Sequence, residues 1–202
     1  MTHPEETELL QRLEAKESQA FDDLVCLYQD KVVNTCYRFV HNLQDAEDVA
    51  QDVFIEIYQS LHGFRGQSSL ATWIYRIAVT RSLDFIRRKT RKKRTGQLKR
   101  LLGFDTDDGR EEIEIPDTDA DPLDNIEQQE RYALLHKALG TLPENQRTAV
   151  ILNKFEGLSH TEVADIMGNS VSSVESLIHR AKQNLHKKLY DYFEKNPMDA
   201  AG

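Results

Sequence analysis

Cysteine, long apolar runs and the common catalytic motifs are scarce in this 202-residue chain, and each scarcity excludes a class. Two cysteines, Cys26 and Cys36, cannot staple a chain of this size, so a reducing, cytoplasmic setting is expected. Ten residues apart, they do not share one helix face for chelation and read as core thiols. No stretch approaches the roughly 18 uncharged apolar residues of a membrane helix. The start, Met1-Thr2-His3-Pro4-Glu5-Glu6, lacks the basic and apolar regions of an export signal. Membrane insertion and export are therefore not expected. P-loop, G-x-S-x-G and H-E-x-x-H patterns are missing. His160-Thr161-Glu162 imitates the H-x-E of zinc deaminases, but no P-C-x-x-C follows. No enzymatic activity, cofactor or metal site is expected.

What the chain has is a sharp reversal of charge. The net charge of −8 conceals ten Lys/Arg against one acid between Arg81 and Arg100, a local +9. From Phe104 to Glu130 twelve Asp/Glu face only Arg110, a local −11. Local potential, not net charge, steers partners, and the basic tract favours an anionic one. Residues 105–125 combine aspartates with Gly109, Pro116 and Pro122 and show almost no apolar periodicity. Such a stretch cannot bury enough surface to offset chain ordering and reads as a flexible acidic linker.

Both flanking blocks read as helical, with no sustained strand alternation. Ala46, Val49, Ala50, Val53, Ile57 and Leu61 recur in steps of three and four after Asn42 and Asp45. Gly63-Phe64-Arg65-Gly66 breaks that helix, and Ser68 or Ser69 can cap the next, which runs from about Leu70 into the basic tract. Farther on, Leu142-Pro143 opens a helix that Glu156-Gly157 ends. Ser159-His160-Thr161-Glu162 fits an S-x-x-E capping box. Gly168-Asn169-Ser170 supplies a turn, and a final helix runs from about Ser172 to Tyr192.

Capped short helix, turn and longer helix make helix-turn-helix geometry, in which the second helix enters a DNA major groove. Val174, Ile178, Ala181, Leu185 and Leu189 form its buried stripe, placing Ser172, Ser176, His179 and Gln183 opposite, beside Arg180 and Lys187. Hydroxyls and amides reach base edges while cations hold phosphates. The plainer alternative is a helical hairpin with a solvated face. In the first block Trp73, Arg76, Thr80 and Arg87 share one narrow sector, suited to stacking unpaired bases and tracking their phosphates. Core filling is the alternative for Trp73. Tyr75, Val79 and Ile86 point elsewhere and read as packed. On the acidic helix, Ile55 stands opposite the apolar stripe among Asp48, Gln51, Asp52 and Gln59, an apolar centre in a polar rim that suits protein docking.

These segments, in this order, resemble the bacterial RNA polymerase sigma factors of the extracytoplasmic-function group. The matching stretches are Asp45–Phe54 (DAEDVAQDVF), Phe64-Arg65-Gly66, Thr72–Ala78 (TWIYRIA), Leu142-Pro143, Glu156–Ser159 and Val174–Lys182, covering most of residues 18–190. The resemblance implies an all-α protein of two small helical domains joined by a flexible acidic linker: region 2 over 18–95, the linker over 96–127, and region 4 with its helix-turn-helix over 128–190. It implies core-polymerase binding through Asp45, Glu47, Asp48, Gln51, Asp52, Phe54 and Ile55. It implies −10 recognition and melting by Phe64, Arg65, Trp73, Arg76, Thr80, Arg87 and Arg88. It implies −35 recognition by Ser172, Ser173, Glu175, Ser176, His179, Arg180, Lys182 and Gln183. RNA polymerase core and promoter DNA are the implied partners, with an anti-sigma factor as commonly in the family. The family often has basic residues where Glu175 and Leu177 stand, and asparagine where Thr80 stands, so its −35 consensus does not transfer. An autonomous dimeric operator-binding regulator would explain residues 130–190 but not the first block. A carboxylate-bridged metal bundle lacks histidine ligands.

Overall fold

The computed structural model describes residues 4–101, apart from 16, 18, 65 and 67, and residues 134–195. Arg65 and residues 102–133 lie outside these, so of the expected linker only 96–101 are described, and they are helical. The chain divides into two compact units, Met1–Pro116 and Asp117–Gly202. All regular structure among the described residues is helical.

The first unit contains α1 (Pro4–Glu14), α2 (Ala20–Val40), α3 (Leu43–Ser60), a 3-10 turn (Leu61–Gly63) and α4 (Leu70–Leu101). Asn42 starts α3 as expected of an N-cap, its side chain accepting from the Asp45 amide at 2.8 Å. Of the two serines offered for α4, Ser69 accepts from the Thr72 amide at 3.1 Å. The stripe Ala46, Val49, Ala50, Val53 and Ile57 is buried against Leu24, Val32 and Cys36 of α2 and Leu70, Ile74 and Ala78 of α4. Full burial of each Leu, Ile or Val is worth about 1.5–3 kcal/mol, which outweighs the polar ties between these helices. Those ties are nonetheless specific. Lys89 reaches Asp45 at 2.9 Å, and Arg81 donates to Glu56, so α4 is braced to α3 at two points.

Helix α1 adds Leu9 and Leu13 to the same core. It is tied to α2 by Tyr28, whose hydroxyl donates to Glu6 at 2.6 Å, and by Arg12, which bridges Glu17 at 2.9 Å and Asp23 at 2.7 Å. Burial, with the Glu6 carboxylate second, holds the Tyr28 phenol protonated well above its ordinary range. His41 closes α2 in a left-handed conformation at φ 59°, its amide bonded back to Tyr37. Cys36 is buried, but Cys26 is exposed, correcting its reading as a core thiol. It lies on the solvent side of α2, away from the face that carries Leu24, Tyr28 and Val32.

The second unit holds α5 (134–140), α6 (Glu144–Val150), a π turn (Ile151–Phe155), α7 (His160–Met167) and α8 (Val171–Lys195). Pro143 is the N-cap of α6, one residue earlier than a first-turn proline. Leu139, Leu142, Val150 and Ala181 form a core under Leu135, Phe155 and Leu185. Asn184 of α8 donates to Gln146 of α6 at 2.8 Å, and the Asn153 amide closes the π turn onto the Leu158 carbonyl at 2.8 Å. The capping box forms: Glu162 donates its amide to Ser159 Oγ, and its carboxylate accepts from the Ser159 amide at 2.8 Å. Those Ser159 hydrogen bonds lower the Glu162 pKa. Gly168, at φ 63°, takes the left-handed turn that leads into α8.

Candidate polymerase and nucleic-acid interfaces

Helix α3 presents Glu47, Asp48, Gln51 and Asp52 to solvent, with Ile55 55% exposed among them. The buried stripe fixes this: residues half a turn away have no neighbour to meet. Tyr58, 64% exposed, extends the apolar centre and packs edge-on against Phe21 of α2, ring centroids 5.0 Å apart. Sequence reading passed over Tyr58 although it lies beside Ile55 on the helical projection. Two of the expected contact residues sit differently. Phe54 is partly buried against the core, and Asp45 is turned toward α4 in its ion pair with Lys89.

On α4, Trp73 is partly buried and pairs with Phe64 from the preceding loop, centroids 5.1 Å apart and tilted 44°. Along the expected sector from Trp73, Arg76, Thr80 and Arg87 are exposed, and Arg88 lies next to Arg87. Thr80 donates its hydroxyl to the Arg76 carbonyl at 2.8 Å, so it presents a methyl and an acceptor oxygen outward. Arg87 donates to Asp84 at 3.3 Å on the same helix. Tyr75 and Val79 are buried, as their angular position required. The local +9 overstates the charge offered to a partner, because Arg81 and Lys89 are turned inward to Glu56 and Asp45. Arg91, Lys92, Lys93 and Arg94 are exposed.

On α8, Val174, Ile178 and Ala181 are buried, and Ser172, Glu175, Ser176, His179, Arg180, Lys182 and Gln183 are exposed. Ser173 is half-buried, its amide bonded to Ser170 Oγ at 3.3 Å. Gln183 and His179 are within hydrogen-bond reach at 3.0 Å, and Ser176 donates to the Ser172 carbonyl at 2.9 Å. Glu175, Ser176, His179 and Arg180 line a shallow open hollow of about 440 Å³. His160 Nδ1, at the start of α7, lies 3.6 Å from Glu175 Oε1. Among the described residues no cluster of His, Cys, Asp or Glu could hold a metal, and no helix is long and apolar enough to cross a membrane.

The family model for Sigma-70 region 2 matches residues 15–92, and that for Sigma-70, region 4 matches residues 132–185. The ECF RNA polymerase sigma-E factor of Escherichia coli is 32% identical over 181 residues, 90% of this chain and 92% of that protein. This chain belongs to the extracytoplasmic-function sigma factors of the sigma-70 family. The RNA polymerase sigma-H factor of Pseudomonas aeruginosa is 36% identical to this sigma factor over 191 residues, 94% of this chain and 96% of the relative. The solved structure of CnrH, in complex with the cytosolic domain of CnrY, shares its fold at a TM-score of 0.66 and 22% identity, covering 92% of this chain and 97% of that one. RpoE of Bartonella quintana, in complex with the anti-sigma factor NepR, does so at 0.58 and 22%, covering 85% and 98%. The sigma factor is thus a DNA-binding transcription initiation factor that directs RNA polymerase to promoters. Helix α3 and the Trp73 stripe fall within the region 2 match, and α7 with α8 as far as Leu185 within the region 4 match; α1 precedes the first match.

Proposed function

We propose that this sigma factor binds RNA polymerase core through the exposed face of α3, recognises and melts the −10 element with the aromatic-cationic sector of α4, and reads the −35 element with α8. The observation that carries the reading is the Phe64–Trp73 pair and, along the sector from Trp73, exposed Arg76, Thr80 and Arg87. Aromatic rings accept unpaired bases and the guanidinium groups hold the strand that bears them. The domains then run 18–95 for region 2, 96–127 for the linker and 128–190 for region 4, working in the cytoplasm without catalytic chemistry of their own. Asp45 supports docking by bracing α3 to α4, while Glu47, Asp48, Gln51, Asp52, Ile55 and Tyr58 form the contact face. An anti-sigma factor is a further partner, since relatives of the same fold were solved bound to CnrY and NepR.

Reconstitution with polymerase core on promoter fragments tests this. The wild type initiates transcripts from duplex DNA. Asp48→Lys with Ile55→Ser loses core association and initiates from neither duplex nor pre-opened template, with its helical circular dichroism unchanged. Undiminished core binding by that variant would remove the docking face from the proposal.

A further inference from the structure

Glu175 is out of place on a face that meets a polyanion. An exposed carboxylate there is repelled by phosphates unless a base supplies a donor and a nearby cation offsets the charge. The structure places an imidazole beside it, from the other helix of the motif. His160 Nδ1 lies 3.6 Å from Glu175 Oε1, too long for a direct hydrogen bond but within ion-pair reach, with both side chains open to solvent. Ser159 and Glu162 cap α7 between themselves, so the His160 ring is not needed to start the helix. Glu175 also borders the hollow that Ser176, His179 and Arg180 line, where a base edge would enter.

We infer that His160 is a positioning residue for base readout, steering the Glu175 carboxylate so that one base-pair position favours an amino-bearing base over a keto-bearing one. The inference rests on the reading of α8 as the −35 helix. A carboxylate only accepts hydrogen bonds. It therefore suits cytosine N4 or adenine N6 and opposes guanine O6 and thymine O4, so selection comes from repulsion as much as attraction. A glutamate left to itself spreads over many rotamers, and ordering it at a base costs entropy that a fixed neighbour reduces.

The test uses full-length protein assembled with bacterial polymerase core, selecting from a duplex library randomised across the upstream promoter element. The wild type is expected to prefer cytosine or adenine at one position. Glu175→Gln should lower that preference on the order of tenfold, since an amide both donates and accepts. His160→Ala should lower it about 3- to 10-fold at the same position and leave the others alone. His160→Lys should restore it, and the His160→Ala/Glu175→Gln double variant should be no worse there than Glu175→Gln alone. If His160→Ala weakens all sequences alike, or changes nothing while Glu175→Gln acts, the positioning role is overturned and the −35 reading stands. If no α8 or His160 substitution alters any base preference, both fall. An unchanged thermal melt of His160→Ala separates these results from misfolding.

Discussion

Replacing Trp73 by leucine separates its two environments, because leucine keeps much of the packing but removes the ring. A fully buried tryptophan cut to alanine costs about 3–5 kcal/mol. Trp73 is only partly buried, and the Phe64 contact adds about 0.5–1.5 kcal/mol as an aromatic pair. Trp73→Leu should therefore cost about 1 kcal/mol of folding stability, small against the roughly 5–15 kcal/mol of a typical domain. The effect on DNA opening should be larger. Stacking of an unpaired base is worth about 1–3 kcal/mol, which is about a 5- to 150-fold loss in the open population. Permanganate reactivity of −10 thymines in the reconstituted holoenzyme reads this directly, on a duplex and on a template already mismatched across the element. The duplex should show the full defect and the pre-opened template only part of it, while a urea melt shows the variant folded. Normal opening of the duplex by Trp73→Leu would show that Trp73 fills the core and does nothing more.

Ser159→Ala should lower the stability of the second unit by about 1 kcal/mol at neutral pH. The Glu162 pKa is depressed in the folded state, so its contribution is present above the ordinary carboxylate range and is lost as pH falls through the folded value. Urea melts of wild type and variant should accordingly draw closer in acid without merging, because Ser159 Oγ still accepts from the Glu162 amide there, and a gap independent of pH would contradict the bond from the Ser159 hydroxyl to the Glu162 carboxylate. Tyr28→Phe removes a donor to a carboxylate and should cost about 1–2 kcal/mol, read as faster hydrogen exchange at the Leu9 and Leu13 amides; unaltered exchange would mean that the leucines and the Arg12 ion pairs hold α1 without Tyr28. Replacing the acids between Phe104 and Glu130 by Asn and Gln at constant length should change abortive-to-full-length RNA ratios and raise the nonspecific DNA affinity of the free protein, since a chain of net −11 resembles nucleic acid to a positively lined channel. Were both quantities to stay fixed, the segment would be a tether only.

Some of this was legible in the residues. Asn42, Ser159 and Gly168 announce α3, α7 and the turn before α8 because capping is local chemistry, decided within four residues. The α3 stripe was equally plain, since every third or fourth residue is apolar. Helix α2 was not. Its N-cap, Gln19, makes no side-chain bond, and its buried face includes Tyr28 and Thr35, which blur the contrast between its sides. Helix α1 offers little beyond its leucines. The inward turn of Asp45 and Lys89 could not be seen either, because residues 44 apart meet only once α3 and α4 have packed. For the same reason Glu175 was legible as an odd base reader, while its neighbour His160 was not.

Helix α4 also works as a lever. It is a single helix of 32 residues, about 48 Å long, whose first half is clamped in the core and whose described side chains from Thr90 to Thr95 are all exposed. The Lys89–Asp45 pair is its fulcrum. Beyond that point about 18 Å of helix axis remains to Leu101, so a tilt of about 10° at the fulcrum carries the tip roughly 3 Å. Along a DNA strand that is about the rise of one base pair. Cavities cut beneath Ile74 or Ala78 would therefore do more than lower the melting temperature. If this arm meets DNA as proposed, they would also move it along the phosphates, and core packing would then set where on a promoter the helix takes hold.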